Sequence, residues 1–130
     1  MILQQWFEEV WDKGDVAAID RLMSADVVVH NLLAGGGEKV YDRAAFRALF
    51  EPVLALLRKV HVAVENEFSE GDLVVARCVI TAVYDGEDQG AMARSRPIHF
   101  TGVAMVRVRD GRIDESWNYF DFETMYQQME

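Results

Sequence analysis

The chain has 130 residues, 51% of them hydrophobic, with 13 basic against 22 acidic side chains and a formal net charge of −9. That size suits a single globular domain over residues 1–130 with a proper core. The acidic balance, with no basic run, argues against nucleic acid and anionic membrane as partners.

In chain order, Leu3, Trp6, Phe7, Val10 and Trp11 recur at helical spacing, and Glu8, Glu9 and Asp12 make that start acidic. A basic start and apolar stretch of signal-peptide type are absent and no apolar run reaches membrane-spanning length, so the protein is expected in the cytoplasm. Gly14 stops the first helix, and Asp15 caps a second carrying Ile19, Leu22 and Met23. Val27-Val28-Val29-His30 reads as a short strand, and Gly35-Gly36-Gly37 as a mobile loop. Asp42 caps a helix with Phe46, Leu49, Phe50, Val53, Leu54 and Leu57 on its inner face. Pro52 predicts a kink or break in it near Phe50 or Glu51.

Two hairpins follow. The first joins 60–68 to 73–84 through Glu70-Gly71; with a two-residue turn there, Phe68 faces Leu73 and Val64 faces Arg77, which puts Arg77 on a largely apolar face. Asp85 to Ser95 reads as a long surface loop. In the last hairpin Asp110-Gly111 signals a type I′ turn. The resulting register pairs Val108 with Ile113, Val106 with Glu115, Ala104 with Trp117, Gly102 with Tyr119 and Phe100 with Asp121, all on the apolar face. Asp121 is therefore expected to point inward. A short helix with Phe122, Met125 and Met129 ends the chain, and helices followed by antiparallel strands predict an α+β fold.

A carboxylate on an apolar face needs a partner or a shifted pKa, so Asp121 reads either as a functional acid/base or as the cap of the final helix. Arg77 can pair with it or extend to solvent. His30 and Asn31 offer a proton carrier and an amide, or a structural pair. His61 and His99 fall on outward faces. No metal-ligand spacing occurs, so no metal site is expected. Cys78, the single cysteine, reads as a buried thiol. The opposite sheet face, with Thr101, Val103, Met105 and Phe120, is too apolar for full solvation and predicts a homodimer.

The stretch from Phe100 to Met129, with Asp-Gly-Arg-Ile leading into Glu-Ser-Trp and Tyr-Phe-Asp, resembles the SnoaL-like branch of the nuclear transport factor 2-like superfamily. The resemblance implies a cone-shaped curved antiparallel sheet, with N-terminal helices covering an apolar pocket that holds a small molecule, usually in a dimer. It further implies a cofactor-independent cyclase, isomerase or lyase-type reaction on an apolar carbonyl substrate. Asp121, His30, Asn31 and Arg77 would be the catalytic residues, and Trp117, Tyr119, Phe100 and Trp6 would line the substrate site. Limonene epoxide hydrolases are similar in the same segment, with water activated by an aspartate matching Asp121. Their second aspartate and their tyrosine correspond to Val79 and Val29 here. A non-catalytic binding or dimerisation domain is the third reading.

Overall fold

The computed structural model describes residues 1–33, 39–85 and 95–130. The Gly35-Gly37 loop and all but the ends of the Asp85–Ser95 loop lie outside them.

Helix α1 (Ile2–Trp6) runs straight into a π-helical segment, Phe7–Asp12. In it the Lys13 amide donates to the Glu8 carbonyl at 3.1 Å, a five-residue step. That spacing aligns residues five apart, so Trp6 and Trp11 both reach the Phe46 ring, at 5.5 and 6.1 Å between centroids. Carboxylates anchor this segment at both ends. Glu67 accepts from the Leu3 and Gln4 amides, each at 3.1 Å, and Asp12 accepts from the Val62 amide at 2.8 Å and meets His61 Nδ1 at 2.6 Å. After Gly14, at φ +67°, Asp15 caps α2 (Val16–Leu22) through the Ala17 amide. Asp42 caps α3 (Arg43–Leu56) in the same way through Ala45. The break expected at Pro52 does not occur. Pro52 is on the exposed side of α3, and Ala48, whose carbonyl loses its partner, is exposed too.

The strands are β1 (Met23–His30), β2 (Val40–Tyr41), β3 (Leu57–Glu70), β4 (Leu73–Tyr84), β5 (Arg96–Arg109) and β6 (Arg112–Phe120). They form one open curved sheet in the order β2-β1-β6-β5-β4-β3. It is mixed rather than wholly antiparallel, because β1 runs parallel to β6. Helix α4 (Phe122–Gln128) closes the chain, and among the described residues no helix is long and apolar enough to cross a membrane.

Two register details decide which side chains face the helices. Asp110 and Gly111 take φ +52° and +77°, as a type I′ turn requires, and Val108 pairs with Ile113 as expected. The ladder then slips by one. Arg107 pairs with Glu115 and leaves Asp114 as an extra residue, after which Val106 meets Ser116, Ala104 meets Asn118 and Gly102 meets Phe120. A one-residue bulge reverses every later side chain. Ser116, Asn118 and Phe120 thus turn inward, Trp117 and Tyr119 turn outward, and the inward Asp121 expected from an unbroken register is overturned.

The β3–β4 turn sits at Gly71-Asp72, with Glu70 opposite Leu73, one residue from its expected place. Gly71 takes φ +61° there. β4 buries its small face, Val74, Ala76, Cys78, Ile80 and Ala82. Arg77 therefore points outward, with its side chain 63% exposed and bonded to Asn66 Oδ1 at 3.0 Å. β3 also carries two extra residues of its own, one at 59–60, where Lys59 has φ +53°, and one at Glu65.

Phe120 lies across Gly102: a Cβ at Gly102 would fall 2.6 Å from the Phe120 Cα. Gly102→Ala is expected to destabilise the fold by about 1–3 kcal/mol through forced displacement of this ring and strand. Comparison of thermal or urea midpoints checks it, and an unchanged midpoint would show that β6 yields freely.

Candidate functional site

Between the inner sheet face and the helices lies a cavity of about 100 Å³. A single water needs roughly 10–15 Å³ on that measure, so a ring-sized portion of a ligand fits. The N-terminal segment contributes Leu3, Trp6, Phe7 and Trp11, α3 contributes Phe46 and Val53, and the sheet contributes Phe100, Ser116, Asn118 and Phe120. Two aromatic groups form its walls. Trp6, Trp11 and Phe46, backed by Phe50, make one, and Phe7, Phe100, Phe120 and Phe122 make the second.

None of the described residues that line the cavity is ionisable, and apart from the indole N–H groups only Ser116 and Asn118 bring polar side-chain atoms to it. Both owe their inward position to the bulge. Asn118 Nδ2 donates to the backbone carbonyl of His30 at 2.9 Å. That bond uses one of the two amide hydrogens and holds the carboxamide in place, while among the described residues the second hydrogen and Oδ1 have no other partner.

The residues singled out from the sequence separate into four places. Trp6 and Phe100 line the cavity. His30, Asn31, Trp117 and Tyr119 do come together, but around a polar recess on the outer sheet face, with Lys39 and Val40. There His30 Nε2 meets Glu115 Oε2 at 2.8 Å, and its ring stacks on Trp117 at 5.5 Å and 10°. Arg77 stands elsewhere on that outer face and makes no pair with Asp121.

Asp121 is exposed and caps α4, accepting from the Thr124 amide at 3.1 Å and from the Thr124 hydroxyl at 2.6 Å. These two hydrogen bonds hold its carboxyl below the ordinary carboxylate range. Burial pushes the Cys78 thiol up to about 12, which leaves it un-ionised and inert near neutral pH. The sequence reading missed Ser116, Asn118 and Phe120 as inward residues. A signal was present, since the unbroken register also drove the Glu115 carboxylate into the core.

The family model for SnoaL-like polyketide cyclase matches residues 1–129. The chain belongs to this family. Among solved structures, this SnoaL-like chain is similar to IdmH from Streptomyces antibioticus, a candidate polyketide cyclase. The two share 28% identity at a TM-score of 0.82, over 98% of this chain and 95% of that one. A candidate polyketide cyclase from Acidithiobacillus ferrooxidans gives 23% identity and a TM-score of 0.79, over 98% and 91%. A protein of ketosteroid isomerase-like fold from Catenulispora acidiphila, solved with trimethylamine, gives 20% and 0.78, over 98% and 91%. These neighbours bear out the nuclear transport factor 2-like fold. No curated protein matches the chain.

A capping role for Asp121 has a pH signature. A carboxyl with a lowered folded pKa stabilises fully above its unfolded pKa and loses that contribution as pH falls through the folded value. Asp121→Ala should therefore melt below wild type at pH 7, with the gap closing as the pH falls below the ordinary carboxylate range. A gap that persists unchanged at acid pH would mean that the carboxylate is not what the cap contributes.

Proposed function

We propose that this chain is a cyclase-type enzyme acting on a small, mostly apolar carbonyl compound, whose reacting portion enters the inner cavity and is contacted there by Asn118 and Ser116. The supporting observation is the lining itself, two neutral polar side chains set in an aromatic and aliphatic wall. Family membership and the likeness to IdmH, a candidate polyketide cyclase, favour the same reading.

The chemistry follows from the wall. Confining a flexible chain in a folded conformation removes entropy from the ring-closing step in advance, an effect worth up to about 7–11 kcal/mol when reacting atoms are well aligned. A carbonyl buried in such a cavity requires a donor, which the second Asn118 N–H or the Ser116 O–H supplies. In the ring closure a carbon of the substrate's own enol bonds to that carbonyl carbon, the C=O π bond opens onto oxygen and the enol proton passes to it, and a donor already fixed by His30 stabilises the growing charge with little reorganisation. The reading needs no cofactor. It also places the work in neutral donors rather than in an acid/base role for Asp121, assisted by His30, Asn31 and Arg77, because none of those four lines the cavity. Epoxide hydrolysis by carboxylate-activated water has the same difficulty.

The bicyclic ketone 1-tetralone is a suitable probe, since its rings match the aromatic walls. It should quench the fluorescence of Trp6 and Trp11, and Asn118→Leu should weaken its affinity roughly 2- to 10-fold, the usual worth of one neutral hydrogen bond. With a true substrate the same change should cut turnover by about 10²–10³-fold. Binding with no turnover of any polyketide-like ketone would favour a non-catalytic pocket. Affinity unchanged by Asn118→Leu would remove Asn118 from the site.

The outer sheet face supports the expected homodimer. Val28, Val103 and Tyr119 are exposed on it, and Met105 is half-buried beside them. Phe120, expected there, is not part of it. Val103→Lys combined with Met105→Lys should convert a dimer to a monomer in sedimentation while leaving the fold intact. A wild-type monomer at micromolar concentration would overturn this assembly.

A further inference from the structure

The outer face carries one side-chain cluster that neither the fold nor the family explains, and it touches the cavity through the sheet. We propose that Glu115 is a positioning residue for the cavity: by clamping His30 and Arg107 around Trp117, it fixes the backbone carbonyl that orients Asn118. The functional weight of this inference rests on the reading of Asn118 as the polar contact to substrate, whereas the clamp can be tested without it.

Both oxygens of Glu115 are engaged. Oε2 meets His30 Nε2 and Oε1 accepts from Arg107 Nη1, each at 2.8 Å. Arg107 also reaches Asp72 at 3.4 Å. The two partners come from the strands on either side of β6, His30 from β1 and Arg107 from β5. Each lies against Trp117, the His30 ring stacked at 5.5 Å and the Arg107 guanidinium 5.5 Å from the indole centroid. The side chains of His30, Glu115 and Arg107 are only 29%, 26% and 33% exposed, so water competes for these bonds less than at an open surface pair.

A clamp matters here because the main chain gives out at this point. His30 is the last residue of β1, and Asn31 leaves the strand at φ +59°. The outer neighbour β2 has only two residues. The His30 carbonyl, which accepts from Asn118 inside the cavity, therefore has little ladder beyond it to hold its direction. Glu115 is also the first residue paired after the bulge, opposite Arg107. Its bond to Arg107 resists the slip that would return Asn118 to the outer face.

The test reads the Asn118 carboxamide directly, as its side-chain NH₂ pair in ¹⁵N–¹H NMR spectra of the full chain. The sequence has three asparagines, Asn31, Asn66 and Asn118, and Asn118→Ser identifies the pair by its disappearance. In Glu115→Leu the pair should move towards the shifts of a free amide, and its exchange with water should quicken roughly 2- to 10-fold, as expected for one lost hydrogen bond. Glu115→Gln keeps one acceptor and should fall between Leu and wild type. His30→Phe, which preserves stacking on Trp117 and removes the bond to Glu115, should move the signal in the same direction. Glu65→Leu, which breaks a distant outer-face ion pair with Arg77, should leave it unchanged.

If Glu115→Leu does not fold, Glu115→Gln and His30→Phe decide. An unmoved Asn118 pair in the folded variants overturns the proposal, as does an equal shift in Glu65→Leu. A shifted pair together with 1-tetralone affinity indifferent to Asn118→Leu keeps the clamp and removes only the substrate-contact reading.

Discussion

An ionised carboxylate cannot be left unpaired against an apolar core, and Glu115 would sit there in an unbroken β5–β6 ladder, opposite the buried Val106. The chain resolves the conflict with one extra residue. Asp114 bulges out, accepts from the Ser24 hydroxyl at 3.2 Å, and lets Glu115 come out beside His30 and Arg107. The tight turn before it is unaffected, so the slip is confined to the strand. From this one exclusion follow the inward amide of Asn118, the outward indole of Trp117 and the release of Asp121 to cap α4.

The cavity depends on a second departure from regularity. An ordinary α-helix advances about 100° per residue, which separates residues five apart by more than a quarter turn. The π-helical stretch brings Trp6 and Trp11 onto one face, where both meet Phe46. In the second aromatic group, Gly102 leaves room for Phe120, which a side chain there would displace. The walls are thus shaped by a widened helix and a missing side chain, and the carboxylates of Glu67 and Asp12 hold the helical wall to the sheet.

Local signals in the sequence carried much of this architecture. Asp15 and Asp42 cap the helices they were expected to cap, Asp110-Gly111 forms its turn, and Trp6 and Phe100 reach the cavity. What escaped was the identity of the inward face. Strand periodicity is two, so a single bulge exchanges the sets without altering composition, and β4 is apolar enough on both sides that Arg77 alone hinted at the answer. Pairing of β1 with β6 joins residues more than 80 positions apart, as Val29 with Ser116, and nothing local in either strand specifies it. Asn118 was legible only after weighing Glu115 against the core.

Strand β3 forms one edge of the sheet, with 14 residues, and an edge of that length is normally a template for a neighbouring chain. Here the Val62 amide is already occupied by Asp12, and extra residues at 59–60 and at Glu65 bend the strand away from a straight ladder. The opposite edge, β2, is only two residues long. Edge-to-edge growth into fibrous assemblies is thereby obstructed at both ends of the sheet, so the homodimer proposed above would have to form on the sheet's broad face, where contact closes after a single partner.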